Sequence, residues 1–476
     1  MDDESRKLTK TSFIKPETIF KQNQTTSNKI LNMNDAIASH PQTTNKVKET
    51  LSRHLLADGF DFVMDFDKSH GSWIHDRITG KEYLDMFSMF ASAAIGYNHP
   101  YLMEKSAWLG KLAVNKPTLA DVYSQEFADF MEVFERVAIP EELQYTFFIE
   151  GGTMGVENAT KACFDWKTRK NFEKGLETEG DICIHFRQSF HGRSGYTLSL
   201  TNTSDPRKYQ YFPKFDWPRI INPHLNFPIT EENLEETIKN ENLALMQIQE
   251  AILMNPERVA CIIIEPIQAE GGDNHFRDEF FVGLRNLCDE NEVLLIFDEV
   301  QTGIGMTGKM WAFQHFSVTP DIISFGKKTQ VCGVLANKEK FDEIPNNVFR
   351  ESSRINSTFG GNFIDMLRLQ LTLEVIEKEN LVENARVVGD YLLEGLKELE
   401  QKFPEKLSNA RGRGLMCAID LPTGADRDKI REVLYDDGLI ILACGDRSIR
   451  FRPHLNVTKE EIQLALDKIV NNIDKI

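Results

Sequence analysis

The feature that most constrains this chain is a series of short apolar segments spaced by helix-length stretches. Tyr145–Ile149, Asp181–Phe186, Val259–Pro266, Val293–Val300 and Asp321–Phe325 are each rich in β-branched or aromatic residues. Strands that alternate with helices are joined by crossovers, which makes the sheet largely parallel and the fold class α/β. Such a sheet is covered on both faces and needs a large core. The 476 residues, 41% of them hydrophobic, are enough for two domains.

Around this centre the flanks read differently. Residues 1–45 are rich in Thr, Asn, Ser and Lys with weak periodicity, and are expected to form an N-terminal arm. Thr44–Ala57 is helix-compatible, and Gly71–Ser88 reads as strand, turn and strand with the turn near Thr79-Gly80. In Met86-Phe87-Ser88-Met89-Phe90 the apolar residues are expected to be core at large, with one or two lining a channel. Thr458 and Glu461 form a capping-box pattern ahead of Ile462, Leu466, Ile469 and Ile473 on one helical face. The expected division is 46–95 and 356–476 in a smaller α+β domain and 96–355 in a large one.

Composition narrows the function. A net charge of −18 disfavours nucleic acid, which calls for a basic face. No apolar run is long enough for a membrane span, and the start MDDESRKLTK lacks a signal-type apolar region. Seven scattered cysteines without a CxxC pair point to buried thiols in a reducing cytoplasm. Eleven histidines show no HExxH-type spacing, so no metal is expected.

Three apolar strands end in charge. Cys261–Ile264 runs into Glu265, with Glu270 shortly after; Leu294–Phe297 runs into Asp298-Glu299; Ile322–Phe325 runs into Gly326-Lys327-Lys328. Ligands of open parallel sheets bind at carboxyl ends of strands. A single charged strand end is most often a surface ion pair, but an acid followed after one helix by a lysine matches pyridoxal phosphate (PLP) chemistry. That cofactor needs an acid against its pyridine nitrogen and a lysine to hold its aldehyde as a Schiff base. It also needs a phosphate cradle, and Gly151-Gly152-Thr153 opens a helical stretch whose first N–H groups favour an anion.

From about Gly71 onward the chain resembles the class III aminotransferases, of the fold-type I PLP architecture. The motifs are Phe297-Asp298-Glu299-Val300-Gln301-Thr302-Gly303, Pro320-Asp321 leading to Lys327, Glu265-Pro266-Ile267-Gln268, Gly96-Tyr97-Asn98-His99-Pro100 and Arg450-Phe451-Arg452-Pro453. The resemblance implies a mostly parallel seven-stranded sheet and a homodimer. It implies that Lys327 carries the cofactor and that Asp298 pairs with the pyridine nitrogen. Gln301 would reach the ring oxygen, and Phe190 would stack on the ring. Gly152 and Thr153 would bind the phosphate, joined by Thr358 across the dimer interface. Lys328 is expected to point away on an extended strand end, and His191 to brace the pocket.

Within the family, Glu270–Phe276, Phe190–Tyr196 and Phe325–Gly333 are most similar to lysine 6-aminotransferases. This implies transfer of the ε-amine of L-lysine to 2-oxoglutarate. Arg193 would grip the distal carboxylate of either substrate, Arg450 would bind the α-carboxylate of glutamate, and Glu270 would neutralise Arg450 when lysine binds. Taken singly, each of these three is more often a solvated charge. Ala269 and His454 stand where the family generally has Gly and a second Pro. Ornithine or 4-aminobutyrate transfer, a PLP lyase, racemase or aminomutase, and a non-catalytic binder remain alternatives at this point.

Overall fold

The computed structural model describes residues 46–115, 121–358 and 360–476, so the expected arm at 1–45 lies outside the described residues. Two compact units are present. One is built, among the described residues, from 46–64 and Asp76–Gly80. It holds the helix Val47–Ser52 and a turn in which the Asp76 carboxylate accepts from the Val63, Ile78 and Thr79 N–H groups at 2.9, 3.1 and 3.2 Å.

The other unit, Asp65–His75 with Lys81–Ile476, contains the sheet that the apolar segments foretell. Its strands are β1 (Tyr145–Ile149), β2 (Ile182–Phe186), β3 (Arg219–Ile220), β4 (Val259–Ile264), β5 (Leu294–Asp298), β6 (Ile322–Phe325) and β7 (Cys332–Ala336). They lie in the order β1-β7-β6-β5-β4-β2-β3. All neighbours pair in parallel except at β7, which is antiparallel to both β1 and β6. The five expected strands are present, each within two residues of its expected ends. β3 and β7 are additions: β3 is too short to signal itself, and β7 follows β6 without an intervening helix, so alternation does not announce it.

Helix α1 (Gly152–Glu173) covers one face of the sheet, burying Val156, Ala159, Ala162, Cys163 and Trp166 against the strands. Small residues at its start let it approach closely. Register then positions the chemistry, because Asp298 at the end of β5 faces Ser324 of β6.

A second sheet follows from β8 (Ser408–Arg413), β9 (Met416–Asp420), β10 (Leu442–Cys444) and β11 (Ser448–Phe451), ordered β8-β9-β11-β10 and antiparallel throughout. Trp73–His75 pairs antiparallel with Glu82–Asp85, as the strand–turn–strand pattern implies, and Leu439–Ile440 adds in parallel. The last helix, Lys459–Asn472, begins with the expected capping box: Thr458 Oγ1 accepts from the Glu461 N–H at 3.2 Å, and Glu461 Oε2 accepts from the Thr458 N–H at 2.9 Å. All seven cysteines are buried free thiols. Among the described residues no helix is long and apolar enough to cross a membrane.

One segment departs from expectation. Ser88, Met89, Phe90 and Ala91 have φ of +42, +52, +59 and +63°, a left-handed turn without glycine. Each such residue costs roughly 1–2 kcal/mol. The Asp85 carboxylate holds the turn's entry by accepting from the Phe87 and Ser88 N–H groups, both at 2.8 Å. Met86 and Phe87 are core as expected, but the turn carries Phe90 outward to 57% exposure.

Candidate active site

A cavity of about 200 Å³ opens at the carboxyl ends of β4, β5 and β6. It is lined by Gly152, Thr153, Phe190, His191, Gly192, Glu265, Glu270, Asp298, Val300, Gln301 and Lys327.

Asp298 is its anionic anchor. The carboxylate is 4% exposed. Oδ1 accepts from Ser324 Oγ at 3.0 Å and from the Val300 N–H at 3.1 Å, and Oδ2 faces His191 Nδ1 at 2.8 Å. If His191 Nδ1 carries the ring proton, it donates to Asp298 and leaves Nε2 as the bare nitrogen; Nε2 is buried without a partner. The loop bearing His191 is itself fixed. Thr201 Oγ1 accepts from the His191 and Gly192 N–H groups at 3.0 and 3.2 Å, and Glu265 Oε1 accepts from the Phe190 N–H at 2.9 Å. Burial pushes Glu265 up to about 7, helped by the charge of Asp298 and opposed by His191.

Lys327 begins a 3₁₀ turn, Lys327–Thr329, with φ of +54°. Burial lowers its amine below the ordinary lysine range; Asp298 opposes that shift and the Arg450 guanidinium adds to it. An amine so depressed is more readily free as a nucleophile or base. Lys328 does turn away, donating from Nζ to the Gln301 carbonyl at 2.8 Å. The cause is the 3₁₀ turn and not an extended strand end.

The residues fit a phosphorylated, electron-withdrawing ring. At the phosphate end, the first N–H groups of the 22-residue α1 have no partner within the helix and lie at its positive end. Glycine is required there: a Cβ on Gly152 would come 2.8 Å from Val300, and one on Gly192 would come 2.4 Å from Thr153 Oγ1. At the far end stands Asp298, and Lys327 completes the wall. Gln301 Oε1 accepts from Arg452 Nε at 2.9 Å, which turns the amide NH₂ into the free end of that side chain.

The class-III aminotransferase family model matches residues 57–473. The chain belongs to the class-III aminotransferases. Similarity to individual members runs along most of it. An L-lysine-epsilon aminotransferase of Mycobacterium tuberculosis is 50% identical over 435 residues, which are 90% of this chain and 96% of that protein. The Streptomyces clavuligerus protein of the same name is 45% identical, over 90% and 94%. A 4-aminobutyrate aminotransferase of Dictyostelium discoideum is 33% identical, over 89% and 86%. Among solved structures, lysine aminotransferase from M. tuberculosis in the internal aldimine form superposes with a TM-score of 0.88 at 49% identity, over 90% of this chain and 99% of that one. The enzyme is thus a PLP-dependent aminotransferase of fold-type I.

Not every expected residue of the aminotransferase meets the cavity. Gly152, Thr153, Phe190, Glu270, Asp298, Gln301 and Lys327 line it. Thr358 is exposed on the loop before the helix Phe363–Lys378, away from the cavity lining. Arg193 is exposed too, and among the described residues it forms no ion pair. Arg450, on β11, is 7% exposed, and its Nε and Nη1 are buried without hydrogen-bond partners.

Glu270 is not on Arg450 in this structure. Its Oε1 accepts from Lys208 Nζ at 2.5 Å and from Thr203 Oγ1 at 2.9 Å. Sequence reasoning passed over Lys208, which sits in a polar turn with no pattern to mark it. Glu265 was visible as a charged strand end, but nothing local tied it to the Phe190 loop. The two family departures are buried: Ala269 donates its N–H to Glu265 Oε2 at 3.1 Å, and His454 packs its ring edgewise on Tyr97.

Proposed function

We propose that this enzyme transfers the ε-amino group of L-lysine to 2-oxoglutarate. The products are 2-aminoadipate 6-semialdehyde, which cyclises with loss of water to piperideine-6-carboxylate, and L-glutamate. The observation that carries the choice of donor is the 45–50% identity to lysine-epsilon aminotransferases over 90% of the chain, against 33% for a 4-aminobutyrate enzyme.

When bound, pyridoxal phosphate supplies a ring that delocalises the negative charge left when a carbon beside the amine loses its proton. The rest belongs to the chain. Gly152 and Thr153 would hold the phosphate through backbone N–H groups. Phe190 would pack on the ring, and the free amide end of Gln301 would donate to the ring oxygen. Asp298, held by His191, Ser324 and Val300, would keep a proton on the ring nitrogen. Lys327 is the cofactor's lysine, and its amine takes the proton from the ε-carbon of lysine. In the second half-reaction, Arg450 binds the α-carboxylate of glutamate or 2-oxoglutarate. Its unpartnered Nε and Nη1 support that role, since a buried cation without an anion is costly. Glu270 covers Arg450 while lysine is bound, and Arg193 takes the distal carboxylate.

We further propose a cytoplasmic homodimer in which Thr358 serves the neighbouring site. Its exposed position outside this chain's own cavity lining supports that reading.

A donor screen with 2-oxoglutarate tests the proposal. Lysine is expected to outperform ornithine and 4-aminobutyrate, with the cyclic imine as product. An α-keto acid from lysine, or a better rate with either rival, would reject it.

A further inference from the structure

Glu270 has two possible cationic partners, and the one it occupies is unassigned by any motif. Its backbone is fixed on both sides: the Glu270 carbonyl accepts from the Gly445 N–H at 2.8 Å, in the β10–β11 turn, and the neighbouring Ala269 N–H donates to Glu265. What can move is the side chain. At present it is held by Lys208 and Thr203, and Lys208 Nζ also lies 3.4 Å from Thr203 Oγ1. The turn that presents Lys208 is locally made, with Asp205 Oδ1 accepting from the Arg207 N–H at 3.1 Å and the Asp205 carbonyl accepting from the Lys208 N–H at 3.2 Å.

The two stations differ in environment. The Glu270 and Lys208 side chains are 25% and 30% exposed, so their attraction is screened and the lysine can return to water cheaply. Arg450 is nearly enclosed and lacks partners at two nitrogens. A carboxylate arriving there, from Glu270 or from a substrate, is bound in a drier place. With nothing to hold Glu270 elsewhere, the enzyme's own acid would compete with a substrate carboxylate for Arg450.

We propose that Lys208, assisted by Thr203, is the resting station of Glu270, holding the acid off Arg450 and so setting the balance between dicarboxylate and amine donor. The inference rests on the two-substrate reading above. Lys208 is a positioning residue here, acting through Glu270. With Glu270 on Lys208, both are neutralised and Arg450 is open to a carboxylate. With Glu270 on Arg450, the arginine is covered and Lys208 faces solvent. A switch of this kind works only if the two states are close in free energy, and a weak, partly exposed ion pair is suited to that.

The test uses the holoenzyme and two readouts. One is the dissociation constant of glutarate, a dicarboxylate that cannot react, measured by calorimetry. The other is single-turnover absorbance of each half-reaction. Lys208→Met is expected to weaken glutarate roughly 3–5-fold and to raise the glutamate concentration for half-maximal rate by a similar factor. The limiting rate should be unchanged, and the lysine half-reaction unchanged or slightly improved. Lys208→Arg should restore glutarate binding. In a Glu270→Ala background, Lys208→Met should have no effect on glutarate, since the competitor is gone. Equal losses in both half-reactions, or a glutarate effect that persists without Glu270, would overturn the proposal. The outcomes also separate it from the choice of donor. If lysine proves inert while the glutamate effects appear, the donor is wrong and the station stands. If lysine reacts at its ε-amine while glutarate binding ignores Lys208, the station is wrong and the donor stands.

Discussion

The Asp298 carboxylate and the Arg450 guanidinium are both buried and both act on Lys327, yet the protein treats them oppositely. Asp298 is bonded at both oxygens: Oδ1 by a serine hydroxyl from the adjacent strand and a backbone N–H two residues on, and Oδ2 by a histidine ring nitrogen, with acceptor capacity left on Oδ2. Arg450 is left with two buried nitrogens unpaired. A charge braced at both oxygens is fixed in direction before anything binds, which suits the proposed role of holding one ring atom through every turnover. An unpaired buried charge is costly until an anion arrives, which suits a site where different groups come and go. One corner is preorganised and the other is kept open.

That contrast can be broken most severely at the lysine between them. Lys327→Ala should lose turnover by on the order of 10⁴-fold or more, as removal of a reacting side chain does. Lys328→Ala should keep the cofactor, because its amine is spent on the Gln301 carbonyl. Borohydride reduction followed by peptide mapping checks both, and a label on Lys328 would reverse the assignment.

At the fixed corner, Asp298→Asn preserves shape and removes the charge that holds the ring proton. A fall on the order of 10²-fold in the limiting rate is expected, with little change in substrate affinity. Near-normal turnover would show that the three partners of Asp298 serve folding and not chemistry.

The open corner should respond in affinity and should divide the half-reactions. Arg450→Ala should weaken the glutamate half-reaction by roughly 10–100-fold, the scale of a lost charged hydrogen-bonding pair, and should leave the lysine half-reaction less affected. Glu270→Ala should do the reverse, with a smaller loss of about 10-fold. Separate stopped-flow measurement of each half-reaction decides it; parallel losses would abolish the distinction between the corners.

The smallest expected effect concerns acids that are buried outside any ion pair. Burial pushes Glu265 and Glu299 each up to about 7, above their ordinary value near 4.5. The folded state therefore keeps protons that the unfolded chain has released. Their contribution to stability is complete below about 4.5 and is lost as pH rises through about 7. Thermal melts across that window should show the midpoint falling by a few degrees. Glu265→Gln should flatten part of the slope, whereas an unaltered slope would remove Glu265 as a source.

Much of this molecule was legible because its signals are local. Strand composition gave five strands of the large sheet, and charge at their ends marked Glu265, Asp298 and Lys327. The capping box at Thr458 was read correctly for the same reason. β7 does not announce itself because it follows β6 without the helix-length spacer that marks the other strands. The left-handed turn at Ser88–Ala91 was missed because its cost is met by Asp85 and not by glycine in the sequence. Lys208 carries no pattern at all, since its partner Glu270 is supplied by a loop 62 residues away.

By itself, the sequence determined the α/β fold and the cofactor and marked the side chains proposed to carry the chemistry, because residue type and spacing along a strand limit what a sheet edge can do. Only the tertiary structure decided which partner each charge takes. Strand register brought Ser324 to Asp298, a 3₁₀ turn separated Lys327 from Lys328, and a folded loop gave Glu270 to Lys208 while leaving Arg450 open. Partner choice is a competition among charges distant in the chain, settled by geometry and burial, and neither is written in the order of residues around any one of them.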